Sequence, residues 1–262
     1  MRPDCLNGLF CQVSQINGIG PKISKLIESL CGRYVVDVLF SLPSGVNYRP
    51  IYKNEFEILN GELGTIPFCV EKHIKPPKKN IPYKVKGLFN GVDFELVFFN
   101  YHADYLTKKL LVGETYFVSG KIEKFAGKWG MLHPDYIVKN LSDIPEYEAV
   151  YPLTAGLSGK VLSKAMTHAL AHLPIFQEWQ DEAFMKKQGF SDWKTSVLNA
   201  HNPKVSADLA PDSKSRLRLA YDELLANQLA LFLARAHHKR QKGICFKKSK
   251  NFEDQVLASL PC

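Results

Sequence analysis

The amino-acid sequence predicts an α+β fold, in which a five-stranded barrel lies between two helical regions. Near the start of the chain, apolar residues recur at the spacing of one helix face over residues 23–30, and this spacing returns in the last third. Between about residues 62 and 138, segments rich in Val, Ile, Phe and Tyr alternate with Gly, Asn and Pro, which is typical of strands joined by turns. We therefore predict an N-terminal helical segment over residues 1–55, a barrel domain over 56–145 and a helical linker region over 146–262.

The middle region carries the pattern of a small Greek-key barrel. Asn90 and Gly91 form a strong hairpin signal between the second and third strands. A short helix over residues 102–111 is predicted between the third and fourth strands, and this arrangement is that of the OB-fold. The predicted strands cover residues 64–73, 83–89, 94–99, 115–125 and 129–138.

Helices are predicted on both sides of the barrel. Pro21 suits the first position of the first helix, and a second short helix covers residues 35–40. After Pro145 the pattern is helical to the end, and the last helix contains neither Gly nor Pro. At about 1.5 Å per residue this last helix would approach 40 Å in length. The predicted helices after the barrel cover residues 161–172, 181–187, 191–200 and 217–241.

The charge balance favours a polyanionic partner. Lys and Arg number 34 against 26 Asp and Glu, which leaves a formal charge of +8 and points first to nucleic acid. No apolar run approaches the roughly 20 residues of a membrane span, and the first residues lack the apolar run of a signal peptide. We therefore expect a cytoplasmic protein that does not bind membranes. We also expect it to be a monomer. The six scattered cysteines fit reduced thiols better than disulfides or a zinc site.

Three stretches of the chain resemble the family of RecG-type ATP-dependent DNA helicases. They are residues 13–22, 151–158 and 218–231, and the likeness covers essentially the whole chain in the family's order. The resemblance identifies the barrel with the family's wedge domain and the last region with the linker to the helicase motor. It implies DNA binding at replication forks and Holliday junctions, in recombination and repair, with the wedge separating two arms at the branch point.

The resemblance also implies ATP and magnesium, which the family binds in its motor domains. No phosphate loop of the form G-x-x-x-x-G-K-[ST] occurs in this sequence, since the glycines before Lys160 are too closely spaced and no hydroxyl follows that lysine. We therefore expect this chain alone to have no catalytic residues, no cofactor and no ATPase activity. Adjacent His237 and His238 lack a further spaced ligand, so no metal site is predicted either.

Phe99 is the sharpest candidate for contact with a base. Side chains alternate along a strand, so Phe98 faces the barrel interior and Phe99 faces outward near the strand end. An exposed ring there would stack on the first unpaired base of an arm, worth roughly 1–3 kcal/mol. The resemblance implies aromatic stacking at this strand end, with Tyr101 or Tyr105 as the companion of Phe99. In the structural alternative, Phe99 packs under the short helix over residues 102–111.

Two groups of lysines are candidates for phosphate contacts. The loop after the first strand is one that OB-folds use for binding, and it carries Lys75, Lys78 and Lys79, with Lys84 following in the next strand. The alternative is a solvated loop without a ligand.

The second basic group surrounds the turn between the last two predicted strands. Lys121, Lys124 and Lys128 are interleaved there with aromatic residues, including Trp129. The alternative assigns the lysines to protection of strand edges and Trp129 to the cap of the barrel core.

Two other features leave alternatives open. Gly18 and Gly20, before the first helix, resemble a helix–hairpin–helix turn whose N–H groups bind phosphate, although a tight connection needs no ligand. As a whole, the chain is alternatively a generic single-stranded nucleic-acid-binding OB-fold protein, or an inactive truncated remnant. Residues 151–158 and 218–231 argue against the generic protein, because a minimal OB-fold needs neither stretch.

Overall fold

A computed structural model gives the fold of the chain. Contacts between residues divide it into two units, Met1–Arg218 and Leu219–Cys262, and this division does not decide the boundaries predicted at residues 55 and 145. The structure describes residues 3–76, 78, 81–99, 102–125, 127–240 and 250–260.

The helices and strands follow one another in the predicted order, and the structure has two strands and a last helix in addition to the predicted elements. The α-helices are α1 (Pro21–Leu30), α2 (Val35–Leu39), α3 (Ala103–Lys109), α4 (Gly159–Ala171), α5 (Glu182–Gln188), α6 (Trp193–Ala200), α7 (Lys214–Arg240) and α8 (Lys250–Ser259). The strands are β1 (Gly45–Tyr48), β2 (Leu63–Ile74), β3 (Tyr83–Phe89), β4 (Val92–Phe98), β5 (Thr115–Phe125), β6 (Lys128–Leu132), β7 (Tyr136–Val138) and β8 (Tyr147–Val150).

Strands β2 to β7 form a closed barrel, which confirms the predicted α+β fold with a barrel between helical regions. The strand order is β2-β3-β4-β6-β5-β7, and β2 also pairs with β5, so the sheet closes on itself. β4 and β6 run parallel, and the other paired strands are antiparallel. α3 lies between β4 and β5, as predicted for an OB-fold.

The β3–β4 hairpin confirms the predicted turn. Phe89 pairs with Val92 across Asn90 and Gly91, whose φ angles of 47° and 84° are both positive. Positive φ at both central residues defines the turn type that Asn-Gly favours, because its twist matches that of the strands. The hairpin therefore fixes the register of β3 and β4, and with it which residues of β4 face the interior.

Aromatic and branched aliphatic side chains fill the barrel. Phe68 and Phe94 meet edge to face with ring centroids 6.1 Å apart, and each fully buried ring of this size contributes roughly 1.5–3 kcal/mol. Gly87 lies so close to the ring of Phe68 and the carbonyl of Cys69 that a Cβ there would collide with both. The core thus depends on a small residue in β3 as well as on large ones around it.

The sequence prediction was wrong at two places in this region. The predicted last strand, over residues 129–138, is divided into β6 and β7 because His133 adopts a φ of 45° before Pro134. Residues after Pro145 were predicted to be helical, but Tyr147–Val150 forms β8, which pairs antiparallel with β1. That pairing joins residues a hundred positions apart, so no local pattern announces it.

A buried arginine fastens the β1–β8 pair to the barrel. Arg49 is 3% exposed and donates hydrogen bonds to Glu148 Oε2 at 2.7 and 3.1 Å, to Asp135 Oδ2 at 3.0 Å and to Ser119 Oγ at 3.3 Å. Burial alone would raise the pKa of Glu148, but hydrogen bonds from Tyr136 and Arg49 lower it below its ordinary value. Charge-assisted hydrogen bonds from one guanidinium to several acceptors strengthen the contact and also fix the orientation of the groups that they join.

The helical regions on either side of the barrel contact each other. His201 is 5% exposed, and its Nε2 donates to the carbonyl of Leu39 at 2.8 Å while its Nδ1 accepts from the Tyr151 hydroxyl at 3.0 Å. Burial lowers the pKa of His201, which is consistent with the neutral ring that this bonding pattern requires. Residues 1–55 and the part of the third region up to residue 218 are therefore joined around the barrel.

The long predicted helix is present as α7, with Gln241 of the prediction outside the described residues. In the second unit, large apolar side chains of α7 are exposed, among them Leu224 at 63% and Phe232 at 67%. Among the helices that the structure describes, none is long and apolar enough to cross a membrane.

Candidate nucleic-acid interface

One end of the barrel gathers the basic loop and Phe99. Tyr83 at the start of β3 pairs with Phe98, and Ile74 at the end of β2 pairs with Lys84, so the loop after β2 leaves the barrel where β4 ends. The parallel pairing of β4 with β6 brings His133 to the same place. We call this the Phe99 end, and its described residues are Lys75, Lys78, Phe99 and His133.

Phe98 and Phe99 lie on opposite faces of the strand, as predicted. Phe98 belongs to the barrel core and is 7% exposed, whereas Phe99 is 53% exposed. The alternative in which Phe99 packs under the helix that follows is therefore not the observed arrangement. An apolar ring with half its surface in water has a free face, which is what stacking on a base requires.

His133 holds the backbone at Phe99. The amide N–H of Phe99 donates to His133 Nε2 at 3.1 Å, and the two rings lie 5.9 Å apart at an angle of 34°. The amide of His133 in turn donates to the carbonyl of Val97 at 2.9 Å. Sequence reasoning did not single out this histidine as a site residue, although a histidine directly before a proline in a turn is a local signal of a special backbone position.

The structure describes one of the two proposed companions of Phe99. Tyr105 lies on α3 and is 59% exposed, with Lys109 Nζ 5.6 Å from its ring centroid. Tyr101 and Lys79 lie outside the described residues, so their roles stay predictions.

The lysines near this end fall into two groups. Lys75 and Lys78 are exposed, and their ammonium groups have no carboxylate partner among the described residues. Lys84 lies within β3 and pairs with Glu95 Oε2 at 2.9 Å, while Lys86 pairs with the other oxygen at 3.2 Å. Burial alone would raise the pKa of Glu95, and hydrogen bonds from these two lysines lower it instead. Lys84 therefore already has a carboxylate partner, which it shares with Lys86, unlike the loop lysines.

The second basic group lies at the opposite end of the barrel. Phe94, near the start of β4, pairs with Trp129, and the five steps from Phe94 to Phe99 span roughly 17 Å at about 3.3 Å each. Trp129 is 9% exposed and belongs to the barrel core, with Lys124 Nζ 4.4 Å from its ring centroid. This burial favours the core role of Trp129 over contact with a base. We call this the Trp129 end.

The other lysines of that group have carboxylate partners. Lys128 Nζ lies 3.2 Å from Asp93 Oδ2, and Lys121 Nζ lies 2.7 Å from Glu123 Oε1. The hydrogen bond that Lys121 donates to Glu123 raises the pKa of this lysine. The structure therefore does not bring the two basic groups together, and it leaves uncompensated charge at the Phe99 end.

No metal site is apparent in the part of the chain that the structure describes. Among those residues no group of three or more His, Cys, Asp or Glu side chains is placed to hold an ion.

Comparison with known proteins gives one consistent result. No protein-family model matches the chain. The ATP-dependent DNA helicase RecG of Thermotoga maritima is 26% identical over 260 residues, which cover 97% of this chain and 33% of the relative. RecG of Aquifex aeolicus is 24% identical over 248 residues, and RecG of Escherichia coli K12 is 24% identical over 266 residues.

A solved structure agrees with these relatives. A structure of RecG bound to a three-way DNA junction matches 97% of this chain with a TM-score of 0.69 and 25% sequence identity. The chain is thus similar to RecG over nearly its whole length. It spans about a third of the length of the RecG proteins that it matches, 33% of the Thermotoga protein and 37% of the E. coli protein. The RecG resemblance stated from residues 13–22, 151–158 and 218–231 is thereby confirmed.

Proposed function

We propose that this chain is the part of a RecG-type helicase that binds branched DNA, with the Phe99 end placed at the branch point. The observation that carries the proposal is the match of 97% of the chain to RecG in complex with a three-way junction. ATP and magnesium would be bound by the part of such a helicase that this chain does not match. The binding would serve DNA recombination and repair, and we expect the chain to act as a monomer.

The chemistry of the Phe99 end supports this role. Phosphates are present in forks and in intact duplex alike, so lysines alone cannot distinguish the two. An exposed ring can, because it needs the face of an unpaired base, and such stacking is worth roughly 1–3 kcal/mol. Phe99 would provide that ring, with Tyr105 or Tyr101 beside it, while Lys75, Lys78 and Lys79 would contact the phosphates.

Titrations with DNAs of different shape test the proposal. The purified 262-residue chain would be titrated against a three-way fork, a duplex and a single strand of equal nucleotide number, at one salt concentration. We expect the fork to bind about tenfold more tightly than the duplex, a difference of about 1.4 kcal/mol. If the single strand binds as tightly as the fork, the chain is a generic single-strand binder and the proposal is wrong.

A further inference from the structure

We propose that the chain has a second DNA-binding surface, which binds the phosphate backbone of a double-stranded arm. This surface, the lysine strip, consists of Lys109 at the end of α3 and Lys160 and Lys164 on α4. It rests on the proposed function, because it extends the path of the DNA away from the Phe99 end.

α4 presents its two sides to different surroundings. Its buried residues, Leu162, Ala165, Met166 and Ala169, face the protein interior. Lys160 and Lys164 are exposed, and residues four apart lie one above the other on the same face of a helix. α4 contains no Asp or Glu, so no acidic side chain on this helix offsets the two lysines.

The lysine strip lines a cleft of about 420 Å³ beside the barrel. Two carboxylates also line the cleft, Asp135 and Glu148, and both of them bind Arg49. The ammonium of Lys160 donates to the backbone carbonyl of Asp135 at 2.8 Å. Within the described residues, none of the three lysines of the strip has a carboxylate partner. With Arg49 counted, four cations face two carboxylates in and beside this cleft, so the cleft keeps a net positive charge.

The strip extends to the turn before α1. The ammonium of Lys164 lies so close to Gly18 that a Cβ on that glycine would collide with it. A side chain at position 18 would push the lysine away from its place on the strip. That displacement would cost little, because a lysine head group is flexible, and it is the φ of 83° that favours glycine at position 18.

The strip begins next to the Phe99 end. Asp135, in the cleft, follows two residues after His133, whose ring accepts the hydrogen bond from the amide of Phe99. At its other side, Lys109 lies over the ring of Tyr105 on α3. DNA whose branch point contacts Phe99 would therefore have an arm leaving over the strip.

The chemistry of the cleft favours duplex backbone over single strand. Binding of single strands combines cations with exposed rings on which bases stack. The aromatic ring in this cleft, Tyr136, is half-buried, with Arg49 Cζ at 5.1 Å and Lys160 Nζ at 5.9 Å from its centroid. Its hydroxyl donates to Glu148, and burial raises its pKa to about 12. At Lys160 and Lys164 the strip thus offers charge without an exposed ring, and charge alone recognises phosphate and does not read bases.

Paired charge variants test the strip. Lys160→Gln with Lys164→Gln would be compared with Lys186→Gln with Lys187→Gln, which removes two exposed lysines from α5 and changes the net charge equally. Log K for a fork with double-stranded arms falls as log salt rises. The magnitude of that slope should be smaller by about 0.9 for each phosphate that the protein no longer neutralises, so by about two for the first pair. The control pair should leave the slope near that of the unaltered chain.

A second measurement uses the unaltered chain, so it does not depend on the folding of a variant. A lysine-acetylating reagent with mass spectrometry should show Lys160 and Lys164 protected by the fork and by plain duplex, but not by a single strand. Lys186 and Lys187 should stay reactive throughout. Should the double variant melt early, Lys164→Gln alone replaces it, because the ammonium of Lys164 has no hydrogen bond among the described residues.

The outcomes separate the strip from the proposed function. If the chain prefers forks but both variants keep its salt slope and Lys160 and Lys164 stay reactive, the strip is wrong and the proposed function stands. If the chain binds forks, duplex and single strands alike, the proposed function fails, and the assignment of the strip to an arm fails with it.

Discussion

The two ends of the barrel carry similar residue types and arrange them in opposite ways. At the Phe99 end the aromatic side chain is 53% exposed, and Lys75 and Lys78 have no carboxylate partner among the described residues. At the Trp129 end, Trp129 is 9% exposed, Phe125 is 38% exposed, and Lys128 pairs with Asp93. The Phe99 end therefore offers its ring and unpaired charge to a ligand, whereas at the other end Trp129 belongs to the barrel core.

The neighbours across the sheet decide whether a lysine beside an aromatic ring is paired within the protein or available to a ligand. Lys84 and Lys128 each lie opposite or next to a strand that presents a carboxylate, and each forms an ion pair of the kind that contributes little to stability at a surface. Lys75 and Lys78, in the loop after β2, have no carboxylate partner within the described part of the chain. A basic loop that leaves the barrel is for this reason a better candidate for phosphate than a basic strand.

The largest expected effect is on the free energy of unfolding, and it separates the buried rings from the exposed ring of Phe99. Trp129→Ala and Phe98→Ala each empty part of the barrel core and should lower the free energy of unfolding by roughly 3–5 kcal/mol. Phe99→Ala should change it by no more than about 0.5 kcal/mol, because most of that ring is in water. Urea unfolding and thermal melting of the three variants measure this. Early melting of Phe99→Ala with a stable Trp129→Ala would reverse the assignment of the two ends.

A smaller effect is expected from the lysines, on the salt dependence of DNA binding at the two ends. Replacing Lys75 and Lys78 by Gln should reduce the salt slope of DNA binding by about 0.9 for each phosphate that these lysines neutralise. The matched change of Lys124 and Lys128 to Gln should leave the slope unaltered, because those charges are engaged within the protein. Titrations of a fork at several salt concentrations give both slopes. Equal reductions for the two pairs would mean that DNA contacts both ends.

The sequence predicted the barrel well because its signals are local. Strand composition, the Asn90–Gly91 turn and the alternation at Phe98 and Phe99 depend on residues next to one another. The β1–β8 pair and the buried bonds of Arg49 depend on residues about a hundred positions apart, which a local pattern cannot reveal.

The candidate site was predictable in the same uneven way. The exposed face of Phe99 followed from strand alternation, since one neighbour of a buried residue must face outward. The ion pair of Lys84 with Glu95 did not follow, because it depends on the register of β3 against β4. Nor did the contact of His133 with Phe99, which requires the parallel pairing of β4 with β6.

The most direct measurement asks whether a base stacks on Phe99. A fork would carry a fluorescent adenine analogue at the first unpaired position of one arm, and its emission would be followed as the chain is added. Phe125 is an exposed aromatic residue at the Trp129 end, so Phe125→Ala provides a matched control for Phe99→Ala.

We expect the emission change with the unaltered chain and with Phe125→Ala, and no such change with Phe99→Ala. Phe99→Ala should also lose roughly 1–3 kcal/mol of affinity for the fork and little for plain duplex. If Phe99→Ala retains both the emission change and the preference for the fork, the branch point does not lie at the Phe99 end, and the central claim is wrong.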